Sequence, residues 1–304
     1  MINKQHGCQI KEFQGENIDD LATEELFEHL QQTGLVLLRG YSIDLEDLET
    51  FSARFCGRFH KVGARQPIRK NTGDRFSSEV PGVNFSLFAH SEGAYRPYPT
   101  PPDLCFFNCV EAPDGNGGET MLIDGVEFAQ RLSPDLFERF QQQGIIYQAY
   151  WDENRWQSEF DISNIEELQT FLANHPQIQA RIDADAIEFR CLALAMQTSL
   201  SGELAFANGL LAHLPKISHP RWDGLNAYCK PTNRVFFGGG EEISEEIINQ
   251  LIDIQDDIAV NHKWVENDLL IIDNAKIMHG RRMSENDGNR VIRSRFGSLH
   301  QHLK

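Results

Sequence analysis

The sequence predicts a mixed α/β fold in which β structure dominates, an antiparallel barrel or jelly roll decorated with helices. Three observations carry this. Between residues 85 and 125 the apolar pattern breaks into short strand-like runs at 85–90, 104–110 and 119–124, parted by the turn-forming stretches 97–102 and 114–118. The C-terminal third repeats the pattern at 234–238, 269–273 and 290–299. Helix-spaced segments are few beside these strands.

Taken in order, residues 18–33 carry apolar positions at helical spacing (Leu21, Leu26, Leu30), and Gly34 is placed to stop them. Residues 35–40 form a short buried strand, and 45–55 turn helical again. Residues 126–143 read as one amphipathic helix with a local restart at Pro134. The stretch 151–220 is the least regular; it holds a helix at 165–173 and strands near 186–192 and 203–207. A long irregular insert of this kind commonly covers an active site, so it is read as a lid. Residues 243–258 form an amphipathic helix, with Ser244 as its cap and Glu245 and Glu246 in its first turn. The 304 residues are assigned to a single domain, 1–304, with the insert at about 151–220.

Composition narrows the function. With 40% hydrophobic residues the chain can fill a core. A formal net charge of −17 repels phosphate backbones and anionic membranes, so nucleic acid and lipid surfaces are excluded as partners. The six cysteines are scattered, and Cys105 and Cys109, on one face of a strand, read as small core residues. Reduced thiols, and the absence of an apolar leader or span, give a cytoplasmic expectation.

The chemistry rests on a split trio. His90 and Glu92 flank Ser91, and His279 lies far downstream behind an apolar strand. On a strand, residues i and i+2 point the same way, so His90 and Glu92 aim into one cavity while Ser91 points out. Two imidazoles and a carboxylate suit non-haem Fe(II) with open positions; zinc accepts the same donors. Two further features converge on the trio. Thr120 places a hydroxyl on a strand just past the turn at 114–118. Arg281, Arg282, Arg290, Arg293 and Arg295 make a cationic tail in an acidic chain, suited to a dianionic co-substrate.

His90-Ser-Glu92, Asp103 through Pro113, Asp114 through Thr120, His279-Gly-Arg281 and Arg290 through Arg293 together resemble the TauD/TfdA, or clavaminate-synthase-like, dioxygenases. The match in order and spacing runs from about Leu35 to the C-terminus. The resemblance implies a double-stranded β-helix (jelly roll) and Fe(II), 2-oxoglutarate and O2 as cofactor and co-substrates. It implies His90, Glu92 and His279 as iron ligands, with Thr120 and Arg290 holding the distal carboxylate of 2-oxoglutarate. Arg293 stands as the alternative co-substrate arginine. Several relatives place a substrate-binding arginine four residues after the co-substrate one; here that position is Ser294. Glu92 keeps the carboxylate that halogenating relatives lack, so oxygenation or dehydrogenation is expected.

The substrate class implied is a small amino acid or amino-acid-derived metabolite of natural-product biosynthesis, oxidised at an unactivated C–H bond. Asn208 and Arg293 are the candidate substrate contacts, and Tyr95 and Arg96 are placed to line the mouth. The same chemistry on an aminoacyl group tethered to a carrier protein is the alternative. A non-catalytic metal-binding barrel and a zinc hydrolase are more distant, the latter lacking a general base beside the metal. Gly238–Gly240 before a helix is discounted as a phosphate loop, because Glu241, Glu242, Glu245 and Glu246 surround it.

Overall fold

The computed structural model describes residues 8–60, 70–71, 76–81, 85–95, 101–184, 186–222, 232–284 and 290–304. Arg96, most of the turn stretch 97–102, Cys229 and residues 1–7 lie outside the described residues. The fold is mixed α/β and mostly sheet. Among the described residues no helix is long and apolar enough to cross a membrane.

The large sheet joins β1 (Lys11–Gln14), β2 (Leu35–Arg39), β3 (Cys56–Phe59), β4 (Lys70–Asn71), β5 (Ser77–Pro81), β7 (Leu104–Glu111), β16 (Leu269–Asp273) and β18 (Val291–Leu299). Its order is β1-β2-β16-β7-β18-β5-β4, with β3 also paired to β18. A smaller antiparallel sheet has the order β15 (Val260–His262), β8 (Thr120–Asp124), β17 (Ile277–Arg281), β6 (Leu87–His90). One core cluster draws on both sheets, with Leu37, Phe107, Leu270, Ile292 and Phe296 from the large one and Leu122 and Ile277 from the small one. Strand alternation puts those residues on the inner faces and leaves their neighbours outward. Cys105 and Cys109 sit in this cluster, fully buried, as small apolar residues; burial pushes the Cys109 thiol up to about 12.

Helices α1 (Thr23–Thr33) and α2 (Leu45–Ser52) cover the outer face of the large sheet, through Leu26, Leu30, Leu48 and Phe51 against Leu104, Phe106 and Leu269. Gly34 ends α1 with φ 77°, a left-handed conformation that glycine adopts without cost. Asp44 and Asp47 form a reciprocal capping box at the start of α2. The expected helix 126–143 is two helices, α3 (Gly125–Arg131) and α4 (Pro134–Gln143). Ser133 caps the second one and Pro134 opens it, because proline lacks the N–H that a continuous helix would need there.

The insert is more regular than its sequence suggested. A third sheet runs β10 (Ile178–Asp183), β11 (Ala186–Ala193), β9 (Ile145–Trp151), β14 (Arg234–Phe237). Helices α5 (Glu153–Phe160) and α6 (Ile165–Ala173) close a separate cluster on it around Trp151, Trp156 and Phe189. Hairpin β12 (Met196–Thr198) and β13 (Leu204–Phe206) and the short α7 (Leu210–His213) follow. Helix α8 (Glu245–Ile258), capped by Ser244, packs with α3 on the outer face of the small sheet.

Two boundaries near the site also differ from expectation. His279 does not end the strand at 269–273. It lies in the middle of a separate strand, β17, after a turn in which Asp273 Oδ1 accepts the Ala275 N–H at 2.9 Å. Glu92 lies just beyond the end of β6, in a turn whose Gly93 has φ 74°.

Candidate metal centre

β6 and β17 are antiparallel neighbours, and the register sets His279 directly opposite His90. The approach of the two strands is close. A Cβ on Gly280 would stand 2.5 Å from the Leu87 carbonyl oxygen and 2.9 Å from the Ala89 nitrogen, so the pairing tolerates only glycine there. The imidazoles face each other with centroids 4.6 Å apart. Glu92 Oε2 lies 3.9 Å from His90 Nε2 and 3.9 Å from His279 Nε2. One ligand atom from each of His90, Glu92 and His279 falls within 4.8 Å of the other two.

The surroundings fix this triangle. His90 Nδ1 lies 3.1 Å from the Phe88 carbonyl, so it carries the proton, donates there and leaves the Nε2 lone pair for a cation. The Phe107 ring packs on His279 at 4.8 Å between centroids. Asn274 clamps the turn that carries Glu92. Its Oδ1 accepts the Glu92 N–H at 2.7 Å, and its Nδ2 donates to the carbonyls of Glu92 at 3.1 Å and Pro102 at 2.9 Å. β6 is the edge of its sheet, and its outer N–H groups are capped from elsewhere: Ala89 by Gln255 Oε1 at 3.1 Å, Ser91 by the Asn208 carbonyl at 2.9 Å. The donor set of two imidazoles and one carboxylate on one side of a buried space fits a divalent transition metal with its remaining positions open.

Thr120 and Arg290 are both buried and adjacent, with Arg290 Nη2 donating to Thr120 Oγ1 at 3.3 Å. Arg290 Nε donates to the Gly118 carbonyl at 2.7 Å, which fixes the guanidinium beside Thr120. β8 brings Thr120 alongside Leu122, which pairs with His279. The pair therefore shares the inner space of the two sheets with the metal trio. Arg281, inward and buried two residues past His279, lies over the Phe85 ring at 5.3 Å.

The two substrate candidates go elsewhere. Arg293 alternates with Ile292, so its side chain leaves by the outer face of the large sheet. There it meets Glu79 Oε1 at 3.2 Å and Asn108 Oδ1 at 3.4 Å, and it reaches neither the co-substrate pair nor the metal trio. Ser294 takes the inner face instead and faces Ser78 Oγ at 3.1 Å. Asn208 lies behind the metal strand, but its amide is committed to the scaffold: Nδ2 donates to the Ala195 carbonyl at 3.0 Å and Oδ1 accepts the Leu210 N–H at 2.9 Å. Tyr95 packs against His213 with the rings tilted by 36°, 5.7 Å between centroids. Burial lowers the His213 pKa to about 4 and keeps that ring neutral.

Sequence reasoning missed Asn274, Gln255 and Trp264, whose roles depend on contacts across long sequence separations. Only Asn274 carried a local signal, as half of an Asp-Asn turn.

Residues 3–295 match the family described as taurine catabolism dioxygenase TauD, TfdA family. The dapdiamide synthesis protein DdaC of Enterobacter agglomerans is 25% identical over 297 residues, covering 90% of this chain and 87% of its own length. PvcB from Pseudomonas aeruginosa superposes with a TM-score of 0.58 at 16% identity, covering 94% of this chain and 86% of that one. A structure of PvcB described as an Fe, alpha-ketoglutarate dependent oxygenase from an isonitrile synthetic pathway gives a TM-score of 0.55 at 16% identity, over 94% and 85%.

Proposed function

Because the chain belongs to the TauD/TfdA family of dioxygenases, whose members use Fe(II), 2-oxoglutarate and O2, we propose that it oxidises an unactivated C–H bond of a small amino acid or amino-acid-derived metabolite in natural-product biosynthesis. The single observation that carries the reading is the buried convergence of His90, Glu92 and His279 in one inner space with the Thr120–Arg290 pair. The biosynthetic setting follows DdaC and PvcB, whose names place those two proteins in dapdiamide and isonitrile synthesis.

In this reading His90 Nε2, a Glu92 oxygen and His279 Nε2 would hold Fe(II). The bound iron and co-substrate supply oxidative decarboxylation to succinate and the oxidising power for the C–H bond. The chain's own part is position and exclusion. The Phe88 carbonyl fixes the His90 tautomer, Asn274 holds the Glu92 backbone, and Phe107 limits rotation of His279. Arg290 and Thr120 present N–H and O–H donors to the distal carboxylate of 2-oxoglutarate, an ionic contact strengthened by burial. Ser294, at the position where several relatives carry a cationic anchor, brings a hydroxyl paired with Ser78 to the inner face instead. The two packed sheets are read as a jelly roll, and the insert at about 151–220 as the wall and lid over its mouth, within a single domain.

The test is succinate release and O2 consumption by Fe(II)-loaded protein over a panel of free amino acids and amino-acid-derived acids. The reading expects at least one compound to stimulate succinate release and return one oxygen atom heavier or two hydrogen atoms lighter. Succinate release that no such compound stimulates, but a carrier-tethered aminoacyl group does, would move the substrate to the carrier.

A further inference from the structure

The hydroxyl of Thr120 has two lone pairs and one proton, and the structure accounts for both lone pairs. Trp264 Nε1 donates to Thr120 Oγ1 at 3.0 Å, and Arg290 Nη2 donates to the same oxygen at 3.3 Å. Indole N–H and guanidinium are donors only, so neither can take the Thr120 proton. That proton must point away from both of them, into the space between the sheets. We infer that Trp264 is a positioning residue for co-substrate selection: it locks Thr120 as a hydrogen-bond donor and so tunes the site for a 2-oxo acid that ends in a carboxylate. The inference rests on the co-substrate role proposed for Thr120 and Arg290.

The indole is itself held rigidly. Trp264 is buried, and the His262 ring meets it edge-on at 4.5 Å and 88°. The chain then turns at 265–268. Asp268 closes the turn twice, its N–H donating to the Val265 carbonyl at 3.0 Å and its Oδ2 accepting the Val265 N–H at 2.9 Å. Arg39 on β2 grips the same carboxylate with both arms, at 2.8 and 2.7 Å, and His262 Nε2 lies 3.4 Å from it. Burial raises the Asp268 pKa, but the hydrogen bonds from Arg39 and the Val265 N–H, with the His262 ring close by, outweigh it and leave the value below that of an ordinary carboxylate. The carboxylate stays charged and the turn stays closed. A path of fixed contacts therefore runs from Arg39 through Asp268 and Trp264 to the Thr120 hydroxyl.

Without the indole donor, the Thr120 oxygen regains a free lone pair and the hydroxyl can rotate. The effect should fall only on ligands that use the Thr120 proton. The experiment titrates Mn(II)-loaded protein calorimetrically with 2-oxoglutarate and with 2-oxopentanoate, which has the same oxo-acid end but a terminal methyl group. Trp264→Phe should weaken 2-oxoglutarate about fivefold, the scale of one net hydrogen bond, and change 2-oxopentanoate by less than about twofold. In a Thr120→Val background Trp264→Phe should add nothing, because the hydroxyl it orients is gone. Equal weakening of both ligands, or full additivity with Thr120→Val, overturns the inference.

Should Trp264→Phe fail to fold, the indole N–H of Trp264 decides by nitrogen-labelled NMR. Its resonance should shift and exchange faster with solvent in Thr120→Val; an unchanged signal overturns the inference. Wild-type protein that binds metal but no 2-oxoglutarate defeats the co-substrate reading itself, an outcome distinct from a wild type that binds and a Trp264→Phe that binds equally well.

Discussion

Replacing Asn274 with alanine tests how the metal trio is held. The residue is buried, and its side chain makes three hydrogen bonds, one from the Glu92 N–H and two to the carbonyls of Glu92 and Pro102. Each contributes about 1 kcal/mol net, and stranding the Glu92 N–H in a buried turn costs about 1 to 3 kcal/mol more. Asn274→Ala should therefore lose about 4 to 6 kcal/mol if the surroundings stay rigid, and less if water enters. The consequence for function is separate from stability. Glu92 lies beyond the regular strand, so the clamp fixes the backbone on which its carboxylate depends. Loss of a contact that orients a metal ligand typically weakens metal about 10- to 100-fold. The assays are urea denaturation of the metal-free protein, then Mn(II) titration at a temperature where the variant is fully folded. Folded Asn274→Ala protein with wild-type Mn(II) affinity would refute the reasoning that the turn needs an external clamp.

Other substitutions probe separate parts of the account. Gly280→Ala forces a methyl group against the Leu87 carbonyl and Ala89 nitrogen, so β17 and β6 must part; both stability and Mn(II) affinity should fall, by more than about 2 kcal/mol in denaturation. Arg290→Gln should weaken 2-oxoglutarate by about 100-fold or more by calorimetry, whereas Arg293→Gln, on the other face of the sheet, should change it by less than about twofold. Asp273 gives a pH prediction. Burial raises its pKa from 3.8 to about 6 against the lowering effect of the Leu200 and Ala275 N–H bonds. A carboxyl whose folded pKa is raised contributes stability that is full below about pH 4 and is lost as pH rises through about 6. Wild type should therefore lose about 1 kcal/mol relative to Asp273→Asn between pH 5 and pH 8, read from paired denaturation curves.

Much of the site was legible in the sequence because its signals are local. His90 and Glu92 are two residues apart, His279 stands in an apolar strand, and Thr120 follows a glycine-rich turn. The inner and outer faces of the last strand were also legible in principle: Arg293 and Arg295 alternate with Ile292, Ser294 and Phe296, so the period of two puts both arginines opposite the core. Reading the arginines as one cluster by proximity obscured that, and assigned Arg293 to a site it cannot reach. The amphipathic spacing of 126–143 runs unbroken across two helices, because it continues through the break that Ser133 and Pro134 make. β9 carries no apolar–polar alternation in its sequence, and its alternation of buried with less buried positions emerges only in the fold. What no local pattern carries is the long-range support. Trp264 reaches Thr120 across 144 residues, Gln255 reaches Ala89 across 166, and Asn274 reaches Glu92 across 182. Those contacts exist only once the sheets have folded together.

Anaerobic visible absorption of metal-free protein titrated with Fe(II) and then 2-oxoglutarate tests whether His90, Glu92 and His279 hold an iron to which 2-oxoglutarate binds. A weak charge-transfer band should appear that requires both additions, disappears in His279→Ala, and persists in Arg293→Gln. Folded, iron-loaded protein that shows no such band, or a His279→Ala variant that keeps it, would contradict the assignment.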